Sequence, residues 1–127
     1  RLTPETVILA SIVERESLGD EDRTQIAGVY ANRLKQGLKL EADPTVQYAK
    51  GSWAAVTLGE YKSVNSAYNT YLNESWPPGP ICSPGLKSLQ AAALPATHSY
   101  LYFFHAKGQT YFSKTYAEHA AKVRQYF

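Results

Sequence analysis

Glu16 is a carboxylate standing where a helix should be apolar. Thr3-Pro4 supplies an N-cap followed by proline at the first helical position, opening a helix that runs to about Leu18 and stops near Gly19. At roughly 100° per residue, Leu9, Ile12, Val13 and Glu16 fall on one stripe, while Glu14 points to nearly the opposite side. A carboxyl group among Leu and Ile loses hydration in its charged form, so its pKa rises towards the range useful to a general acid. The competing reading is a buried structural acid held by an ion pair, with Arg33 as the partner.

Other chemistries find less support. His98, His105 and His119 do not share metal-ligand spacing, although Glu118-His119 and Asp43 could meet in space, and no metal is expected. Neither a GxGxxG nor a GxxxxGK[ST] phosphate loop occurs, and no GxSxG elbow. Cys82 is the single cysteine, which excludes an intrachain disulfide. What remains is acid–base work by Glu16 beside Tyr, Asn, Thr and Trp, the materials of glycoside cleavage. A hydrolase would need a second carboxylate, and Asp43 is the distant candidate.

The elements that would position these residues read as an α+β domain over residues 1–127. A second helix is expected from Asp20 or Glu21 to Gly37, with Ile26, Val29, Tyr30 and Leu34 on one face. Arg33 lies within that stripe and is read as snorkelling to the surface, with pairing to Glu16 as the alternative. Residues 39–50 read as a turn into a short strand or helical turn, and 51–63 as a surface excursion. Four prolines across 64–85 forbid a long helix or central strand there, yet Tyr68, Tyr71, Trp76 and Ile81 are costly to expose. Such a stiffened loop suits the wall of a site. A helix from Leu86 to about Leu94, a hairpin of 100–105 and 110–113 around Lys107-Gly108, and a helix over 115–126 complete the chain.

The composition is globular, 44% hydrophobic, with ten tyrosines against four phenylalanines. Rings that carry hydroxyls suit a polar, flat-faced ligand. The net charge is +2 with no basic run, which argues against nucleic acid. No apolar run of membrane-spanning length occurs. The chain begins at Arg1 and holds no methionine, and is read as a piece of a longer protein.

Eight blocks resemble the catalytic domain of the YceG-like family, the MltG-type endolytic murein transglycosylases. They are LASIVERES at 9–17, IAGVYANRL at 26–34, ADPTVQYAKG at 42–51, SAYNTY at 66–71, PPGPI at 77–81, SPGLKSLQAA at 83–92, YLYFF at 100–104 and TYFSKTYAEH at 110–119. Each is weak alone; in this order they cover nearly the whole chain. Ala67 and Trp76 depart from the family pattern, as does the stretch 51–63, which bears on loop shape rather than on the glutamate. The resemblance implies a lytic transglycosylase cutting peptidoglycan glycan strands between N-acetylmuramic acid and N-acetylglucosamine, without a cofactor. It implies one catalytic glutamate, the second Glu of VERES, Glu16. The expected substrate-binding set is Asn69, Tyr68, Thr70, Tyr71, Asp43, Gln47 and Trp76. For Asn69 an internal cap of its own loop is the alternative. Family resemblance further implies an extracytoplasmic location, a membrane anchor outside this chain and partners in cell-wall synthesis. Two other readings stay open: a non-catalytic glycan-binding module using Tyr68, Tyr71 and Trp76, and a lysozyme-type hydrolase with Asp43 as second carboxylate.

Overall fold

The computed structural model describes residues 2–127 as six helices and one two-stranded sheet, an α+β arrangement. Helix α1 spans Pro4–Glu16; the Thr3 hydroxyl accepts from Thr6 N at 3.1 Å, closing its first turn. Ile8, Leu9, Ile12 and Val13 are buried, and Ser11 sits among them because its hydroxyl donates to Ile8 O and accepts from Ile81 N. Helix α1 packs against α2 (Arg23–Lys35) and α5 (Leu86–Ala93). Truncating Ile12, which is fully buried at this junction, would cost about 2–5 kcal/mol.

Helix α2 starts later than the sequence suggested. Asp22 folds back so that its carboxylate accepts from Leu18 N at 3.0 Å, holding the intervening residues in a turn. The far end follows expectation, with Gly37 at φ 71 just beyond the C-cap. Midway, Gly28 lets the chain at 96–98 press onto the helix: a Cβ there would lie 2.5 Å from Ala96 O and 2.6 Å from His98 Nε2.

Residues 43–50 form a true helix, α3 (Asp43–Lys50), with Pro44 in its first turn and Gly51 at φ 77 beyond it. The excursion at 51–63 contains one helical turn, α4 (Glu60–Ser63). It is pinned by Lys50–Glu60 at 2.8 Å and by the Arg15 guanidinium 3.7 Å from the Trp53 ring centre. Residues 64–85 carry no helix or strand, as the prolines required.

The hairpin pairs β1 (Tyr102–Ala106) with β2 (Gln109–Ser113), Ala106 opposite Gln109. Lys107 and Gly108 have φ 53 and 75, the doubly positive turn that matches strand twist. Helix α6 (Tyr116–Tyr126), capped by the Thr115 hydroxyl, backs the hairpin, while β1 leans on α2 through Tyr30 and Phe103 at 5.8 Å. The C-terminus of α1, the N-terminus of α3 and strand β1 thus converge.

Candidate active site

Glu16 is the last residue of α1 and lines a 290 Å³ cavity between α2, α3 and β1. Tyr30 from α2 donates its hydroxyl to Glu16 Oε2 at 2.6 Å. No described residue bonds Oε1, so a neutral Glu16 would hold its proton there, towards the cavity. Some Glu16 surface stays open, but protein walls the carboxyl on nearly every other side. That desolvation raises its pKa from 4.5 to about 7. The Tyr30 bond pulls the other way, and the charges of Asp43 and Asp22 push further up. Burial and the Glu16 charge drive the Tyr30 pKa well upward, keeping its hydroxyl a donor.

The α1 terminus is fixed from β1. His105 Nε2 lies 2.7 Å from the Glu16 carbonyl, and its Nδ1 lies 2.9 Å from the Thr110 hydroxyl. Thr110 donates in turn to Asp22 at 2.9 Å, so hairpin, α1 and α2 are tied behind the carboxyl.

Asp43 opens α3 on the same cavity. Its two oxygens accept from the Tyr71 hydroxyl at 2.5 Å and the Tyr61 hydroxyl at 2.9 Å. Burial and this carboxylate raise both phenols, Tyr61 to about 12 and Tyr71 beyond it. The structure therefore brings together Glu16, Asp43 and Tyr71 from the expected set.

The other expected substrate contacts need correction. Asn69 has no exposed surface; its Nδ2 donates to Tyr61 O and Val64 O, and its Oδ1 accepts from Tyr71 N. It is the internal cap of its loop. Thr70 is also buried, its hydroxyl accepting from Ala42 N at 2.9 Å and meeting Thr45 at 2.8 Å. Together they anchor the loop to the start of α3 and so set Asp43. Gln47 donates to the carbonyls of Trp53 and Ala54, shaping the excursion rather than the cavity. The Tyr68 ring lies tilted against Tyr48 at 4.9 Å and packs on the core. Trp76 lies with Leu9, Leu34 and Pro95 around a separate apolar hollow. A platform of Tyr68, Tyr71 and Trp76 does not form, because the three point to different places.

Arg33 is neither exposed nor paired with Glu16. It is buried, donating to Lys39 O and Leu101 O at 2.9 Å each, with Glu41 3.5 Å away. Among the described residues, no group of three His, Cys, Asp or Glu side chains is placed to hold a metal ion. Of the pair considered for one, Glu118 Oε1 accepts from Lys114 N, while His119 lines the cavity. Tyr61 goes unnoticed in the sequence, Tyr30 reads there only as a helix-face residue and His105 only as an unsupported metal ligand. A tyrosine inside an apolar stripe is a signal in itself, since its buried hydroxyl must find an acceptor.

Comparison with known proteins identifies the family and the fold. The chain is 40% identical to the endolytic murein transglycosylase of Bacillus subtilis over 119 residues, 93% of this chain and 33% of that protein. It is 31% identical to the endolytic murein transglycosylase of Streptococcus pneumoniae D39 over 129 residues, 96% of this chain and 23% of that protein. The chain thus spans a third or less of these curated relatives. A crystal structure of a yceG-like protein from Listeria monocytogenes superposes with a TM-score of 0.88 at 41% identity, covering 92% of this chain and 39% of that one. The model of the YceG-like family matches residues 2–125, and the chain belongs to that family.

Proposed function

We propose that this chain is the catalytic domain of a lytic transglycosylase that cuts peptidoglycan glycan strands between N-acetylmuramic acid and N-acetylglucosamine. The observation that carries the reading is Glu16: desolvated, raised to about 7, paired with no cation among the described residues, and open to the cavity through Oε1. A carboxyl so poised gives its proton to the glycosidic oxygen as the C1–O bond breaks. The resulting carboxylate then takes the proton of the sugar's own C6 hydroxyl, which bonds to C1 and closes a 1,6-anhydro ring. Atoms and charge balance, Glu16 returns to its starting form, and water takes no part.

This chemistry accounts for a cavity in which the second carboxylate is already engaged. Both Asp43 oxygens hold tyrosine hydroxyls, so Asp43 acts as a fixed anion that adds to burial in holding the Glu16 proton and favours positive charge developing at C1. Asp43 still lines the same cavity, which is the observation favouring a lysozyme-type hydrolase as the second reading. Murein is built outside the cytoplasmic membrane, so the reading places the domain there, carried by a segment beyond this chain. Among the described residues no helix is long and apolar enough to cross a membrane. Partners in cell-wall synthesis belong to the same proposal. Mass spectrometry of digested murein is the test. Anhydro ends support the transglycosylase, new reducing ends support the hydrolase, and intact murein leaves only a binding module.

A further inference from the structure

Beyond the Glu16 cavity lies a second hollow of 570 Å³, and the two share Arg33, Glu41, Tyr102 and His119 as a common wall. Its far side adds Tyr116, Lys39 and Glu74. We propose that this hollow is a second saccharide subsite, with Tyr116, Tyr102 and His119 as its platform, taking an N-acetylated hexosamine of the same strand. The proposal rests on the glycan reading of the Glu16 cavity and says how the strand continues from it.

Three observations carry it. The first is the rings: His119 stacks on Tyr102 at 5.3 Å, and Tyr116 meets Tyr102 edge-on at 5.8 Å. Tyr116 nevertheless remains 66% exposed at the first turn of α6, a flat apolar face left to solvent. The second is unspent hydrogen bonding. The hydroxyls of Tyr102 and Tyr116 bond to no described residue, and His119 Nδ1 is buried without a partner. A lone pair is cheaper to orphan than an N–H, so the neutral ring keeps its proton on Nε2. Burial, helped by the Arg33 and Lys122 cations, lowers the His119 pKa and favours that neutral form. The third is charge. Arg33 and Lys39 are offset by Glu41 and Glu74, so the hollow selects neither a polyanion nor a cation. A neutral ligand with flat faces, hydroxyls and amides fits these walls.

The probe is chitotetraose, an uncharged oligomer of N-acetylglucosamine, titrated by NMR into Glu16→Gln protein so that no turnover occurs. The expected result is that the sugar shifts the Tyr116 and His119 signals together with those of the Glu16 cavity. Tyr116→Ala, a change at an exposed ring, lowers affinity about three- to tenfold and removes the His119 shift. His119→Ala weakens binding in the same direction. Unchanged tetraose affinity in both variants, shifts that spare Tyr116, or no binding at millimolar sugar overturns the subsite. Failure of the reaction reads differently: Tyr116-dependent binding with no anhydro ends from murein keeps the subsite and removes the transglycosylase.

Discussion

Replacing Glu16 with Gln should stabilise the fold above neutral pH and leave it unchanged in acid. The folded pKa of about 7 lies above the ordinary 4.5, so the unfolded chain ionises first. Below pH 4.5 the carboxyl is neutral in both states and costs nothing. As pH climbs from 4.5 to about 7, the folded state keeps binding a proton that the unfolded state has released. Stability falls over that window and then levels off. At about 1.4 kcal/mol per pH unit, the full penalty is about 3 kcal/mol. Gln keeps an acceptor for the Tyr30 hydroxyl and never ionises, so it escapes the penalty. For a chain of this length the entropy of unfolding converts about 3 kcal/mol into a Tm rise of roughly 10 °C. The assay is thermal and urea unfolding of both proteins from pH 4 to pH 9. The difference between them cancels every other titrating group to first order. A Gln variant less stable at pH 8, or a difference independent of pH, would mean that the ionised carboxylate holds the fold through a partner, and the argument from desolvation would be refuted.

Two substitutions should move the proton in opposite directions. Tyr30→Phe removes a bond that lowers the Glu16 pKa and carries the basic limb of the pH–rate profile upward, while Asp43→Asn removes a raising charge and carries it down; identical limbs in all three proteins would contradict the electrostatics. Asn69→Ala leaves the carbonyls of Tyr61 and Val64 and the Tyr71 N–H without their partner, and should cost at least about 2 kcal/mol in urea unfolding. Gly28→Ala drives a methyl into Ala96 O and His98, so a loss of several kcal/mol in thermal unfolding is expected, by a route that never touches the cavity.

The parts of this molecule that could be read from sequence are those set by local rules. Thr3-Pro4, the inward stripe of α1 and the Lys107-Gly108 turn each determine their own geometry within a few residues, and Glu16 inherits its placement from the first two. The misread parts are those where one residue type serves two ends. Asn69 offers a donor and an acceptor, which suit a sugar or a loop interior equally; its partners were settled by the fold of the loop around it. Arg33 has a stem that could snorkel, but the carbonyls of Lys39 and Leu101 accept from its guanidinium and hold it buried. The α3 helix was obscured because Asp43-Pro44 reads as a turn when its anchor, Thr70, is twenty-odd residues away in sequence. Tyr61 was invisible for the same reason, sitting in a segment without period and reaching Asp43 through space alone.

The most direct trial of the central claim is to digest murein in water enriched in heavy oxygen and weigh the new muramic acid ends. If Glu16 moves the proton from the C6 hydroxyl to the leaving oxygen, those ends are anhydro, carry no label, and vanish with Glu16→Gln. Labelled reducing ends, or undiminished cleavage by the Gln protein, would contradict it.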